Sequence, residues 1–332
     1  MQIGIIGATG AVGQEILRLL EQRAFPVTTL RCFASKRSIG KTVSFRSQQI
    51  PLEVLDAQSL KGLDLAFFCA GSNVSKTWIP QTDCKIIDSS SAFRSKAPLI
   101  IPEINPHAYK MDDRIIASPN CAATIFLMPL FRLHRLFRAK RIVLSTYQAA
   151  SGGGNLLLQT LKAETEAHLH NLPYTPMLGF PYAFNLYPHN SYLHANGYVE
   201  EEIKIREETH KILEDPEIQI TATCIRVPVL RAHSVSVNVE FHHPFSLEEV
   251  YATLQNTPGL ALFENRGENR FPTPFDATGK SDVFCGRFRI DPTQPNTLEF
   301  WAVGDQLLKG AALNAVQIAE MIAPHCGRSE SM

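Results

Sequence analysis

The residue whose type and position best suit nucleophilic chemistry is Cys121. It follows Ser-Pro-Asn at residues 118–120, which stops a short apolar run, and it precedes a long apolar segment that predicts a helix. A cysteine at the start of a helix lies beside unpaired backbone N–H groups and the positive end of the helix dipole, which stabilise a thiolate. The sequence therefore predicts a covalent catalyst, with a small buried thiol as the alternative. Buried thiols are also our interpretation of Cys32, Cys69, Cys84, Cys224, Cys285 and Cys326.

Polar residues that suit substrate binding stand in or beside predicted strands. Gln148 ends an apolar strand just before a Ser-Gly-Gly-Gly turn, and Arg94 follows the end of a strand in the first third of the chain. Open α/β sheets bind ligands at the carboxyl ends of their strands. Arg226 and His233 interrupt otherwise apolar runs, where a charged group needs a partner or a ligand. A surface arginine and a hydrogen-bonded structural histidine are the alternatives.

Glu201 and Lys204 form a further candidate pair. They are three residues apart on a predicted helix and therefore share one face of it. Spacing alone also fits a solvated ion pair, so the binding role stays open at this point.

The chain opens with a glycine-rich stretch, IGIIGATGAVGQEILRLL, in which a predicted strand meets a predicted helix. Gly7, Gly10 and Gly13 permit a tight turn and let backbone N–H groups approach a pyrophosphate at the helix start. The spacing is G-x-x-G-x-x-G rather than G-x-G-x-x-G, so a tight turn without a ligand is the alternative. Because the motif opens a series of βα units, we interpret it as a dinucleotide site.

The end of the second predicted strand distinguishes between the two nicotinamide cofactors. NAD sites usually carry an acidic residue there, which holds the ribose 2′-hydroxyl. This chain has FASKRSIGK instead, in which Ser35, Lys36, Arg37 and Ser38 offer two hydroxyls and two cations. These groups suit a 2′-phosphate, so the sequence favours NADP; a solvated basic loop is the alternative.

The elements that must position these residues fall into two groups. Up to residue 120, short apolar runs alternate with helical or polar connections, which is typical of βαβ units and a parallel sheet. Beyond it, longer runs with helices between them predict an α+β domain with a mixed or mostly antiparallel sheet. A last helix is predicted over residues 307–322, and Pro324 and a polar tail follow it. The predicted class is α/β with a second, α+β domain.

The composition limits the class of protein. The 332 residues include 32 basic and 32 acidic side chains, so no general field favours nucleic acid or anionic lipid. The longest apolar stretch is too short to span a bilayer, and no signal peptide is recognisable. Eleven histidines show no H-x-x-x-H spacing and the cysteines form no C-x-x-C pair, so no metal site is predicted. We expect a soluble cytoplasmic protein with reduced thiols.

The motifs taken in order resemble those of bacterial aspartate-β-semialdehyde dehydrogenases. They are GATGAVG, ASKRSIGK, SSSAFR, SPNC, YQAASGGG, EEEIK, RVPVLRAHS and LLKGAALNAVQIAE, and the resemblance runs from residue 1 to about 323. It implies a Rossmann-like NADP-binding domain of residues 1–121 and 307–325. It also implies a substrate-binding and dimerisation domain of residues 122–306, in a homodimer.

The resemblance also implies roles for individual residues. Cys121 matches the acylated nucleophile and His233 the acid/base. Contacts with the amino acid are implied for Gln148, Arg226 and Glu201, and contacts with phosphate for Arg94, Lys204 and Asn120. The implied cofactor residues are Gly7, Thr9, Gly10, Ala11, Val12, Gly13, Ser35, Arg37, Ser38, Ser151, Gly152 and Gln306. Gln306 stands where the family usually has an asparagine on the nicotinamide side.

The implied activity is the reversible NADP-dependent reductive dephosphorylation of L-β-aspartyl phosphate to L-aspartate-β-semialdehyde, through a thioester on Cys121. This step leads to lysine, diaminopimelate, threonine and methionine. One alternative is N-acetyl-glutamyl-phosphate reductase, whose substrate nitrogen is neutral and leaves Glu201 no ammonium to bind. Another is an inactive NADP-binding sensor, which would not need the combination of Cys121, Gln148, Arg226 and His233.

Overall fold

The computed structural model describes residues 1–56 and 58–323. It divides the chain into two compact units, one formed by residues 1–119 with the chain from 311 onward and the other by residues 120–310. The division places Cys121 and residues 307–310 in the second unit, whereas the boundaries drawn from the sequence assigned them to the first. Pro324, Cys326 and the polar tail lie outside the described residues.

A seven-stranded sheet forms the centre of the first unit. Its strands are β1 Gln2–Ile6, β2 Thr29–Ala34, β3 Thr42–Phe45, β4 Gln48–Val54, β5 Leu65–Phe68, β6 Lys85–Asp88 and β7 Ile115–Ala117, in the order β3-β4-β2-β1-β5-β6-β7. All neighbouring pairs are parallel except the hairpin of β3 and β4. The parallel sheet confirms the α/β prediction, and the hairpin adds an edge that the sequence pattern did not predict.

Two helices of the first unit follow strands of this sheet. Helix α1, Ala11–Gln22, buries Ile16, Leu17, Leu19 and Leu20, so its apolar stripe faces the core. Helix α2 spans Ser72–Trp78. The chain leaves β1 for β2 on one side and later returns to β5 on the other side of β1. Such a reversal opens a crevice at the carboxyl ends of the strands, where ligands bind in open α/β sheets.

A second seven-stranded sheet forms the centre of the second unit. Its strands are β8 Ala139–Gln148, β9 Tyr187–Pro188, β10 Gln219–Arg226, β11 His233–Phe241, β12 Leu260–Leu262, β13 Val283–Ile290 and β14 Thr297–Gly304, in the order β12-β13-β14-β11-β8-β10-β9. Strand β10 is parallel to β8, whereas β11 is antiparallel to both β8 and β14. The mixed sheet was predicted from the sequence.

The helices of the second unit are α3 Cys121–Phe137, α4 Gly154–Leu169, α5 Glu200–Leu213, α6 Leu247–Leu254 and α7 Pro274–Ala277. Helix α3 is buried on almost every side, which explains its nearly continuous apolar sequence. Its first residue is the partly exposed Cys121.

The last helix of the chain has two parts. Residues Leu308–Ala312 form a π-helical turn, and α8, Leu313–Ile322, continues as a regular α-helix. Single π-helical turns are rare in proteins, and those that occur are often found at functional sites. Short 3-10 turns are Lys36–Ser38, Ile79–Gln81, Pro106–Ala108 and Ala150–Gly153. Within residues 1–56 and 58–323, no helix combines the length and the apolar character needed to cross a bilayer.

Candidate active site

Cys121 is the first residue of α3, and Asn120 caps this helix. The side-chain oxygen of Asn120 accepts hydrogen bonds from the backbone N–H groups of Ala122 at 2.9 Å and Ala123 at 3.1 Å. Asparagine is among the best residues at this position because its oxygen satisfies N–H groups that have no partner within the helix. The thiol thus lies at the positive end of the helix dipole, where a thiolate is stabilised.

Gly310, in the π-helical turn, lies against Cys121. A Cβ atom at Gly310 would stand only 2.8 Å from the Cβ of Cys121 and 3.2 Å from its Cα. Only glycine therefore lets the turn approach the nucleophile this closely. Sequence reasoning did not assign Gly310 to the site, although it belongs to the quoted motif LLKGAALNAVQIAE.

The other described cysteines have environments unsuited to nucleophilic chemistry. Burial raises the pKa of Cys32 and of Cys69 to about 12. Burial also raises the pKa of Cys84, Cys224 and Cys285 above the ordinary value. These thiols stay protonated near neutral pH, as expected for packed cysteines.

Asn120 also connects the nucleophile's loop to helix α5. Its amide nitrogen donates to Oε1 of Glu201 at 2.7 Å, and its backbone N–H donates to Oε2 of Glu208 at 2.5 Å. The amide nitrogen of Gln148 donates to the same oxygen of Glu201 at 3.3 Å. The structure therefore brings together three residues that the sequence assigned to substrate and phosphate binding. It adds Glu208, which no sequence motif singled out.

His233 begins β11 and is completely buried. Its Nδ1 accepts a hydrogen bond of 3.0 Å from the backbone N–H of Ala149, so the proton of the neutral ring is on Nε2. Burial, followed by the charge of Arg226, holds the pKa of His233 well below its usual value. Nε2 has no hydrogen-bond partner among the residues that the structure describes. The buried ring thus offers one N–H group for a ligand.

Gly152 lies directly against this ring. A Cβ atom there would be 2.7 Å from Cε1 and 2.8 Å from Nε2 of His233, and 3.1 Å from a terminal nitrogen of Arg226. A side chain at residue 152 would therefore collide with His233 and crowd Arg226, so this position of the Ser-Gly-Gly-Gly turn requires glycine.

Gln306 connects the segments that carry His233 and Gly152. Its Oε1 accepts from the backbone N–H of Ala232 at 2.8 Å, and its Nε2 donates to Oγ of Ser151. Ala232 has a φ of 72°, which is unusual for a residue other than glycine and persists where its surroundings hold it. The Gln306 amide is thus used within the protein, where the family resemblance placed a nicotinamide contact.

Arg226 ends β10 beside Gln148, the last residue of the parallel strand β8. It is 3 % exposed, and two of its nitrogens have fixed partners. Nη1 donates to the carbonyl oxygen of Ala149 at 2.8 Å, and Nη2 donates to Nε2 of His189 at 2.8 Å. Nε donates to no residue in the described part of the chain. A buried guanidinium with an unused N–H group is suited to bind a carboxylate.

Lys204 lies one turn along α5 from Glu200 and Glu201. Its Nζ is 3.4 Å from Oε1 of Glu200, and a quarter of its side chain is exposed. Burial lowers the pKa of His189, and the positive charge of Lys204 adds to this effect. Lys204 therefore adds a partly exposed cation to the group formed by Glu201, His189 and Arg226.

In the first unit, the glycine-rich stretch forms the turn that the sequence predicts. Gly7 has a φ of 98°, and its N–H and that of Ala8 both donate to the carbonyl oxygen of Phe33. A Cβ atom at Gly13 would be 2.3 Å from the carbonyl oxygen of Gly7. Gly10 precedes α1, whose first residues are Ala11 and Val12. The glycines thus allow close packing of strand, turn and helix.

A cleft of about 500 Å³ opens at this turn. Its lining comes from the ends of β1, β2, β4 and β5, the residues that follow them, and helix α2. The lining residues are Ile6, Gly7, Thr9, Gly10, Phe33, Ala34, Ser35, Lys36, Val54, Leu55, Cys69, Ala70, Val74 and Trp78. No acidic residue is among these described lining residues, and Lys36 supplies a cation. Arg37 is exposed and Ser38 half-buried in the adjoining 3-10 turn. The residues present fit a dinucleotide with a phosphorylated ribose.

Arg94 lies at the carboxyl ends of two first-unit strands. Its Nε donates to the carbonyl oxygen of Ser118 at 3.0 Å, just after β7, and its Nη2 donates to that of Ser89 at 3.3 Å, just after β6. The sequence placed it at such an edge. No cluster of three metal-ligating side chains occurs among residues 1–56 and 58–323.

Two family models match most of the chain. Residues 2–111 match the model described as semialdehyde dehydrogenase, NAD binding domain. Residues 127–309 match the model described as semialdehyde dehydrogenase, dimerisation domain.

Curated proteins and solved structures show the same similarity. The chain is 47 % identical to an aspartate-semialdehyde dehydrogenase of Synechocystis, over 97 % of each chain, and 43 % identical to that of Prochlorococcus marinus, over 97 % of this chain and 96 % of the relative. Aspartate semialdehyde dehydrogenase II of Vibrio cholerae, solved as a complex with ASA, superimposes with a TM-score of 0.92 at 37 % identity. That superposition covers 98 % of this chain and 99 % of the other.

Proposed function

The chain belongs to the aspartate-semialdehyde dehydrogenase family, and we propose that it catalyses the reversible, NADP-dependent reductive dephosphorylation of L-β-aspartyl phosphate to L-aspartate-β-semialdehyde. This places it in the aspartate pathway to lysine, diaminopimelate, threonine and methionine. The observation that carries the proposal is the arrangement around Cys121. The thiol begins a capped helix, and the capping residue is bonded to Glu201, which also accepts from Gln148.

Cys121 acts as the nucleophile in this reaction. Its thiolate attacks the carbonyl carbon of the acyl phosphate, the bond from this carbon to the phosphate oxygen breaks, and a thioester forms. The start of a helix stabilises the thiolate form that such an attack needs. Lys204 and Asn120 are our candidates for the departing phosphate in the second unit. Arg94, in the first unit, is assigned to phosphate on the family resemblance.

His233 stabilises charge on the reacting oxygen. When the thioester is reduced, negative charge develops on its carbonyl oxygen before the thiolate leaves. The N–H of Nε2 is a buried donor without a partner among the described residues, and a fixed donor in a water-poor site stabilises such an oxyanion. The bond from Ala149 to Nδ1 keeps this proton on Nε2.

The two ends of the amino acid have separate partners. Arg226 binds the α-carboxylate through its unused Nε–H and the second hydrogen of a terminal nitrogen, because each terminal nitrogen carries two hydrogens and uses one for its fixed partner. Glu201 and Gln148 bind the α-ammonium side. A free ammonium pairs with the carboxylate of Glu201, whereas the acylated nitrogen of N-acetyl-glutamyl phosphate is neutral. The presence of Glu201 therefore favours aspartyl phosphate.

The glycine-rich cleft of the first unit holds the cofactor. Residues Gly7, Thr9 and Gly10 take the pyrophosphate side, and Ser35, Lys36, Arg37 and Ser38 take the 2′-phosphate. When bound, NADPH supplies the hydride that reduces the thioester. The cations of the loop and the lack of an acidic residue among the described lining support NADP over NAD. Cofactor contacts of Ser151, Gly152 and Gln306 remain predictions from the family resemblance.

We assign the active form to a homodimer formed through the second unit. The match to a dimerisation domain supports this assignment. Light scattering should give twice the mass of the chain, and a monomer would refute the assignment. A cytoplasmic location stays a prediction.

Reduction of NADP⁺ in the presence of L-aspartate-β-semialdehyde and phosphate tests the proposed function. We expect turnover that requires phosphate, and little turnover when the semialdehyde of N-acetyl-glutamate replaces the substrate. A folded, NADP-binding protein that turns over neither aldehyde would support the sensor alternative. Preference for the N-acetylated aldehyde would instead assign the chain to the reductase.

A further inference from the structure

His189 is a buried histidine that no sequence motif singled out and that the reaction itself does not use. It directly follows β9, whose two residues pair with the end of β10, and its backbone N–H donates to the carbonyl oxygen of Cys224 at 2.8 Å. This pairing sets its imidazole beside Arg226, whose Nη2 donates to Nε2 of His189 at 2.8 Å.

The protonation state of His189 follows from its partners. An arginine cannot accept a hydrogen bond, so Nε2 must be the unprotonated nitrogen and the proton is on Nδ1. Oγ of Ser191, 3.1 Å from Nδ1, can accept this proton. The backbone N–H of Ser191 also donates toward Nδ1, at 3.2 Å, and so competes with Arg226 for the single unprotonated ring nitrogen; the contact of Arg226 with Nε2 is the shorter one, at 2.8 Å. Burial lowers the pKa of His189 to about 4; the charge of Glu201 opposes this effect, and those of Arg226 and Lys204 add to it. The ring is therefore neutral at physiological pH.

Ser191 extends this connection to the other end of the substrate site. Its Oγ accepts the backbone N–H of Glu201 at 3.1 Å, an N–H group in the first turn of α5 that has no partner within the helix. A continuous chain of hydrogen bonds thus runs from Arg226 through His189 and Ser191 to the start of Glu201. The first and last residues of this chain are those that we assign to the carboxylate and to the ammonium.

The geometry points to His189 as a positioning residue that orients Arg226 for the substrate carboxylate and sets its spacing from Glu201. This inference rests on the proposed function of the site. A neutral acceptor suits the role better than a carboxylate would. An aspartate at this position would also orient the guanidinium, but it would form an ion pair with it and cancel the charge that attracts the substrate. The imidazole fixes the direction of Arg226 and leaves its charge intact.

Two variants separate this role from a purely structural one. His189→Leu removes the acceptor, so the KM for L-aspartate-β-semialdehyde should rise about 10- to 100-fold, the scale for a lost hydrogen bond to a charged group. The KM values for NADP and phosphate should change by about twofold at most. His189→Gln should restore most of the lost affinity, because the amide oxygen can accept from Arg226. His194→Gln, at a half-exposed histidine on the same segment, is the matched control.

Equal losses in the leucine and glutamine variants would overturn the inference, as would equal rises in all three KM values or an effect confined to kcat. A second measurement does not depend on the enzyme activity. In the ¹⁵N spectrum of histidine-labelled wild-type protein, the signals of His189 are those that disappear in the His189→Gln variant. At pH 7 these signals should show an unprotonated Nε2 and a protonated Nδ1. A protonated Nε2 would overturn the inference even if the proposed substrate were wrong, whereas wild-type protein without turnover would count against the proposed function alone.

Discussion

The backbone N–H of Ala149 donates to Nδ1 of His233, and this single contact leaves Nε2–H as the group of the ring that can donate to a substrate. A protonated ring would direct a second N–H at the amide of Ala149, so the contact works together with burial to keep His233 neutral. A neutral histidine that presents Nε2–H resembles a fixed oxyanion donor more than a proton shuttle with a pKa near 7.

Replacement of His233 should therefore act on kcat. His233→Ala should lower kcat by roughly 10²- to 10³-fold, the usual scale for the loss of one oxyanion donor, while the Kd for NADP stays near the wild-type value. His233→Gln, which can present an amide N–H in the same region, should recover part of the loss. Because the pKa of His233 is well below its usual value, kcat should show no titration near pH 6.5. A loss of activity centred on that pH would contradict the neutral donor.

The free energy of unfolding should depend on pH through the same buried histidines. The folded-state pKa values of His233 and His189 lie below the unfolded value of about 6.5. Between the folded and unfolded pKa values, the unfolded chain binds more protons than the folded protein, so the free energy of unfolding falls as the pH decreases below about 6.5. The contribution of His189 is lost progressively until the pH reaches about 4. Urea unfolding at pH 8, 6.5 and 5 measures this effect. The His189→Gln variant should lose less stability between pH 6.5 and 5 than the wild type; an unchanged slope would show that His189 is not buried neutral.

Gly152→Ala should damage catalysis without removing any functional group. The new methyl group would stand 2.7 Å from Cε1 of His233, so the ring must move, and a displacement of about 1 Å can cost roughly 10²-fold in rate. Gly267→Ala is the control, because its methyl group would meet only the side-chain oxygen of Asn265 at 3.5 Å. Normal kcat in the Gly152 variant would mean that the position of His233 is not critical.

Cofactor preference should depend on the loop after β2. Lys36→Ala and Arg37→Ala should each weaken NADP by about 1.5–3 kcal/mol, or roughly 10- to 100-fold in Kd, because each removes a charge-assisted hydrogen bond to phosphate. NAD should be nearly unaffected. Lys41→Ala, at an exposed lysine just beyond the loop, should leave both Kd values unchanged. Equal losses for NADP and NAD would show that the loop does not bind the 2′-phosphate.

The parallel strands of the first unit were predictable because strands buried on both faces consist of short apolar runs. The hairpin of β3 and β4 was not, because polar residues occupy five of its eleven strand positions and every second residue of β3 is exposed. Strand β13 was also missed. It contains Gly286, Arg287 and Arg289, and its pairing with β14 shifts register between Gly286 and Arg289. Such an irregularity breaks the alternation on which strand prediction depends.

Some residues of the candidate site can be recognised from their neighbours in the sequence, and others only from contacts with distant parts of the chain. The helix start at Cys121, the Ser-Gly-Gly-Gly turn and the glycine-rich stretch each have a local signal. Gly310, His189 and Ser191 do not, because their roles come from contacts with residues far away in the chain. The sequence marks them only as one glycine in a motif, one histidine among eleven and an ordinary loop serine.

The proposed reaction passes through a thioester on Cys121, and peptide mass spectrometry detects this intermediate most directly. The protein is mixed with NADP⁺ and L-aspartate-β-semialdehyde in the absence of phosphate, so that an acyl enzyme cannot be discharged to the acyl phosphate, and is then quenched in acid and digested. We predict one aspartyl group per chain on the peptide that contains Cys121, with about one NADPH formed per subunit, and neither in a Cys121→Ser protein that still binds NADP. An unmodified Cys121 in protein that turns over normally once phosphate is added, or near-normal turnover of the Cys121→Ser variant, would contradict the covalent mechanism.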